Sequence, residues 1–145
     1  MNNVAMARAY LRQASERLRH AREALEEGNY PYVVRQSQEA VELLLKAALR
    51  LVGVEPPKWH DVGPVLSREV DRFPQWFRDV IPRLARISRK LRREREPAMY
   101  GDEESGTPPD ELYGEEDAEE ALSWAVEVFQ VVSRLFKEIT GADLR

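Results

Sequence analysis

PYVVRQSQEAVELLLKAALRLV, residues 31–52, carries Val34, Ser37, Val41, Leu44, Ala48 and Leu51 at alternating spacings of three and four. At 3.6 residues per turn, that alternation gathers them on one face of a helix of roughly six turns. No other stretch is as apolar, which predicts a helix at the centre of a bundle. Beside the stripe, Arg35, Glu39, Glu42 and Lys46 follow one another at four, three and four residues and share one flank. Two readings of that flank stand. It is either a surface ladder of ion pairs worth about 0.3–0.5 kcal/mol each, or a wall of a polar cleft in which Glu42 and Lys46 face a basic stretch further along.

Upstream, Val4, Ala7, Leu11, Ala14, Leu18, Ala21 and Leu25 keep the same alternation and predict a second long helix with a narrow stripe. Between the two, Gly28 suits a left-handed stop, Asn29 or Tyr30 a cap, and Pro31 a first helical turn. So short a connection implies an antiparallel hairpin. Downstream, Gly53 closes the central helix, and Pro56 and Pro57 stiffen a connector. Asp61 is expected to cap a short helix to about Arg72, with His60 beside it as an orienting or capping residue. Pro74 and Pro82 then predict a short helical piece over about 75–80 that carries Trp76 and Phe77. A basic helix follows from about Pro82, with Ile87 and Leu91 continuing the spacing from Leu84 and Pro97 ending it near Glu96. A last helix spans about 116–140 and ends at Gly141. No strand pattern or internal repeat occurs. The expected fold is all-α: an antiparallel up-and-down bundle of four main helices plus one or two short ones, in a single domain over 1–145. A chain of 145 residues is long enough for one such core.

The net charge of -4 conceals two opposed blocks. From Ser67 to Arg95 there are ten Arg and Lys against four Asp and Glu, whereas Glu96 to Ala121 holds eleven acids and no base. Arg89, Arg92, Arg93 and Arg95 crowd the end of the basic helix. The negative end of the helix dipole accounts for part of that clustering. Arg95 stands just before the expected break, where Tyr100 and Asp102 on the exit loop can fold back towards it. Residues 101–117 (GDEESGTPPDELYGEED) have no apolar period and predict an acidic flexible loop. That loop is either solvated or a lid that covers the basic helix and competes with an anionic ligand.

Composition narrows the chemistry. The chain has no Cys, which excludes a disulfide framework and thiolate catalysis. With two His and no Glu-x-x-His pair, it is poorly supplied for a metal site, and no metal or cofactor is expected. Neither a secretory signal pattern nor a span of roughly 20 apolar residues occurs, so a cytoplasmic location without membrane attachment is expected. Arg outnumbers Lys eighteen to four. That bias fits genome composition, a hot habitat or phosphate contacts alike.

Taken in order, Gly28-Asn29-Tyr30, Ser37-Gln38-Glu39-Ala40-Val41-Glu42-Leu43-Leu44-Leu45-Lys46-Ala47, Trp59-His60-Asp61-Val62 and Arg95-Glu96-Pro97-Ala98-Met99-Tyr100-Gly101-Asp102 resemble the HEPN domain, the higher eukaryote and prokaryote nucleotide-binding module. The resemblance runs over nearly the whole chain. It implies a helical homodimer that binds nucleotide or RNA and works with a minimal nucleotidyltransferase in a toxin and antitoxin arrangement. It also implies kinship with metal-independent RNases, whose motif is an Arg followed after four to six residues by a His. Counted from Arg95, those positions are Tyr100, Gly101 and Asp102, so the His is missing.

Cleavage at a 2'-hydroxyl needs one group to take a proton and another to return one, a task suited to a pKa near 7. Tyr and Asp have ordinary pKa values of about 10 and 3.9. Three functions therefore follow. The first is a dimeric module that holds nucleotide or RNA phosphate through Arg89, Arg92, Arg93 and Arg95, with Glu42 and Lys46 in the cleft. The second is an RNase with a degenerate motif, with Arg95 on the phosphate and Tyr100 or Asp102 in proton transfer. The third is a purely structural dimer whose basic helix is neutralised by the acidic loop. Related modules also place a modifiable Tyr near this motif, which makes Tyr100 a possible acceptor for the nucleotidyltransferase.

Overall fold

The computed structural model describes residues 2–58 and 61–144. Trp59 and His60, including the orienting or capping part expected of His60, lie outside the described residues. The first two helices are α1 (Asn3–Glu27) and α2 (Tyr30–Leu51), followed by a short α3 (Gly63–Arg68) and a 3-10 turn over Val70–Arg72. The chain continues through α4 (Gln75–Arg93), α5 (Arg95–Tyr100), α6 (Pro109–Leu112) and α7 (Glu115–Thr140). Among the described residues there is no strand, only an isolated β-bridge between Asp102 and Thr107. None of these helices is long and apolar enough to cross a membrane.

The four long helices run alternately up and down. Gly28 turns α1 into α2 from the left-handed region, at φ 78°, and Pro31 occupies the first turn of α2. From α2 and its end to the stretch running from the 3-10 turn through α4 into α5, the contacts descend as α2 ascends: Arg35 meets Arg95, Glu42 meets Arg92, and Val52 meets Arg72. Against α7 the order is again reversed, with Trp76 on Glu138, Arg83 on Glu127, and Lys90 over Trp124. Arg8 near the start of α1 lies 5.0 Å over the Phe136 ring near the end of α7. This is an antiparallel helical bundle.

α2 is its centre and packs against α1, α4, α5 and α7. Thirteen of its residues are buried, Leu44, Leu45 and Leu49 completely. Each such leucine is worth about 1.5–3 kcal/mol of burial. The α1 stripe is mostly alanine (Ala7, Ala14, Ala21, Ala24) interrupted by Leu11 and Leu18, so α1 can lie close on α2. Val4, expected on that stripe, is 41% exposed, because the stripe begins a turn later at Ala7.

Two prolines act differently from expectation. Pro82 does not divide a short helix from a basic one, since α4 runs unbroken through it from Gln75 to Arg93. Pro82 sits on the exposed side of α4, where water can serve the carbonyl that loses its donor. Pro97 does not end the basic helix either. α4 stops at Glu94 (φ -88°, ψ -4°), and Pro97 lies in the first turn of α5. There its missing N–H would have lacked an intrahelical partner in any case. The residues from Gly101 to Asp117 are built rather than irregular. Asp102 and Thr107 exchange two backbone hydrogen bonds of 2.9 and 3.0 Å, α6 follows, and α7 begins at Glu115.

Candidate functional site: an arginine cavity at the joint of α4 and α5

Three contacts fix the joint, two from α2 and one from the acidic segment. Its backbone rests on α2, where the Arg35 guanidinium donates to the Arg95 carbonyl at 2.7 Å while its Nε stands 3.5 Å from Glu39. Arg92, one turn earlier, pairs with Glu42 of α2 at 3.2 Å. From the acidic segment, the buried Tyr113 donates its hydroxyl to the Glu94 carboxylate. Burial, and then that hydrogen bond, raise the pKa of the Tyr113 phenol well above its ordinary value, so it stays a donor at neutral pH.

Around this joint opens a cavity of about 650 Å³ lined by Arg35, Arg92, Arg93, Arg95, Glu96, Pro97, Met99 and Tyr100. The lining holds four arginines and one glutamate, and two of those arginines, Arg35 and Arg92, already stand against Glu39 and Glu42 of α2. Among the described residues, the side chains of Arg93 and Arg95 make no hydrogen bond or ion pair, and both residues are exposed. Arginine forks without internal partners are suited to phosphate or carboxylate, which they can grip through paired N–H donors. Tyr100 ends α5 at 61% exposure, with its side chain on the cavity rim.

Of the residues singled out from the sequence, Arg92, Arg93, Arg95 and Tyr100 meet here, and Glu42 stands behind Arg92. Arg89 is exposed and does not line the cavity, nor does Lys46. Asp102 lies beyond Gly101 and serves its own turn, its Oδ1 accepting from the N–H groups of Glu104 at 3.1 Å and Ser105 at 3.4 Å. Of the two candidates for proton transfer, Tyr100 lines this cavity and Asp102 does not. Arg35 is the addition. The signal for it was its place on the flank shared with Glu39 and Glu42. Among the described residues, no ion pair joins a carboxylate of 101–117 to an arginine of α4, and the segment closes on the joint through the Tyr113–Glu94 hydrogen bond.

The described residues thus form an all-helical bundle with an arginine cavity where α4 gives way to α5. Residues 7–135 match the HEPN domain family, and the chain belongs to it. It is 30% identical over 145 residues to "Putative toxin MJ1304" of Methanocaldococcus jannaschii, an alignment covering 96% of this chain and 93% of that protein. The crystal structure of TT1696 from Thermus thermophilus superposes with a TM-score of 0.69 at 28% identity, over 92% of this chain and 98% of the other.

Proposed function

We propose that this protein is a dimeric HEPN module of a toxin and antitoxin pair, acting in the cytoplasm, and that its arginine cavity holds the phosphate of a nucleotide or RNA. One observation carries the reading: four arginines against one glutamate around a single opening, two of those arginines unpartnered among the described residues. Membership of the family and the toxin name of the relative support it. The exposed Met99 and Tyr100 on the same rim give a second copy an apolar edge to meet. The test is a titration of labelled nucleotide and RNA at several salt concentrations. Affinity should fall steeply with salt and drop on Arg92→Ala and Arg95→Ala. An affinity indifferent to both substitutions rejects the reading.

Tyr100 supports a second role in the same system. Its hydroxyl, exposed beside guanidinium groups that would neutralise the phosphates of an incoming nucleoside triphosphate, is suited to accept a nucleotidyl group from a partner nucleotidyltransferase. The phenolic oxygen would bond to the α-phosphorus as pyrophosphate leaves, with the phenolic proton going to solvent. Mass spectrometry after co-expression with a minimal nucleotidyltransferase should find the adduct on Tyr100, and none on Tyr100→Phe.

A further inference from the structure

A second cavity, of about 430 Å³, lies between the end of α4, α6 and the start of α7. Arg93 lines both this cavity and the arginine cavity, so the two adjoin across one side chain. The chemistry changes on crossing it. Beyond Arg93 the wall carries the indole of Trp124, with the Lys90 ammonium 5.5 Å from the ring centre. The half-buried Trp124 packs against the core and carries the Lys90 ammonium over its ring, so a planar group stacking from the cavity would take the place of that ammonium and leave Lys90 to meet an anion. Of the carboxylates in the wall, Glu94 already accepts from Tyr113 and Asp117 from the Gly114 N–H at 2.9 Å. Glu120 has no hydrogen bond or ion pair among the described residues.

We propose that this second cavity is a base subsite, in which the base of a nucleotide held through its phosphate at Arg93 and Arg95 stacks on Trp124 and donates from an amino-bearing edge to Glu120. The inference rests on the phosphate reading above and extends it to base recognition. An aromatic face accepts any base, whereas a carboxylate accepts only from N–H donors. Guanine offers two such donors side by side, cytosine and adenine offer an amino group, and uracil offers a single imide N–H. The order of preference is therefore guanine first and uracil last. Because the cavities adjoin, successive units of a strand would follow the same path, with phosphates on the arginines and a base beside Trp124.

Calorimetric titration of the full chain with ribose 5-phosphate, UMP, GMP and a short guanosine-containing RNA tests this. GMP should bind about tenfold tighter than ribose 5-phosphate, the gain of stacking one base. Trp124→Leu should remove that gain and leave ribose 5-phosphate unchanged. Glu120→Gln, an exposed and isosteric change that does not threaten folding, should erase the margin of GMP over UMP. A loss on Trp124→Leu seen with RNA but not with GMP assigns the subsite to a strand. Equal binding of GMP and ribose 5-phosphate, or a GMP preference untouched by Glu120→Gln, overturns the base subsite while dependence on Arg95 leaves the phosphate reading standing. Failure of every ligand to bind, or binding indifferent to Arg95→Ala, overturns that reading instead.

Discussion

The phenol of Tyr113 hydrogen-bonds to the carboxylate of Glu94, the residue at which α4 gives way to α5. The bond ties the end of the acidic segment to the joint that displays the arginines, so the geometry of the cavity depends on a contact outside its lining. Tyr113→Phe removes the donor and leaves the half-buried Glu94 without it, at an expected loss of about 1–2 kcal/mol of stability in urea unfolding at pH 7. Tyr113 also sets an alkaline limit. Its folded pKa lies above the unfolded value of about 10 because burial and Glu94 disfavour the phenolate. The contribution is then complete below pH 10 and shrinks as pH rises towards the folded pKa. Wild-type stability should fall from about pH 10 upward more steeply than that of Tyr113→Phe.

Gly101 should be the least replaceable residue around the site. It sits at φ 75° and ψ -162°, and an added Cβ would lie 2.2 Å from the Thr107 carbonyl oxygen. Such backbone is nearly exclusive to glycine, and the clash is with main chain, which cannot rotate away. Gly101→Ala should cost about 2–4 kcal/mol. Gly106, also at positive φ but with nothing within 4 Å, provides the control. Gly106→Ala should cost about 1 kcal/mol. Equal losses by thermal unfolding would mean that the close approach to Thr107 contributes nothing.

The long helices were legible because apolar spacing reports a buried face directly. α1, α2 and α7 fall within one or two residues of where their stripes place them. The prolines misled because sequence shows that a donor is missing but not whether the donor was needed. Pro82 loses one on the exposed side of α4, and Pro97 loses one in a first turn that never used it. Tyr113 was hidden for another reason. It lies in a run of acids with no period, and it meets Glu94 only after the turn closed by Asp102 and Thr107 brings the chain back. Arg35 was visible as one member of a charged flank. Its role at the joint depends on the Arg95 carbonyl, which no periodicity locates.

Glu42 tempers the cavity from behind through Arg92. Glu42→Gln keeps the shape of the side chain and removes one negative charge beside the arginines. The pair is partly exposed, at 32% and 23% for its two side chains, so the stability change should stay within about 1 kcal/mol. Affinity for a polyanion should rise about twofold to threefold at low salt, and the gain should fade as ionic strength screens the added charge. A fall in affinity would show that Glu42 aims Arg92 at the ligand rather than weakening its grip.

The arginines of the basic helix tip divide into two groups that sequence could not separate. Arg93 and Arg95 line the opening, whereas Arg89 lies earlier on α4 and does not. Were binding a matter of general positive potential, the substitutions Arg89→Ala, Arg93→Ala and Arg95→Ala would weaken it alike, since each removes one charge from the stretch around the joint of α4 and α5. If binding is contact with phosphate, only the lining residues matter beyond that diffuse effect. A charge-assisted hydrogen bond is worth about 1.5–3 kcal/mol, which at about 1.4 kcal/mol per decade is tenfold or more. Arg93→Ala and Arg95→Ala should thus each lower RNA affinity about tenfold, and Arg89→Ala about twofold at most. The salt dependence separates the cases independently, because each lost contact to a single strand should reduce the slope of log affinity against log salt by about 0.7. Fluorescence anisotropy across a salt series should show that reduction for Arg93→Ala and Arg95→Ala. An equal reduction for Arg89→Ala would mean that the ligand runs along α4 rather than into the cavity.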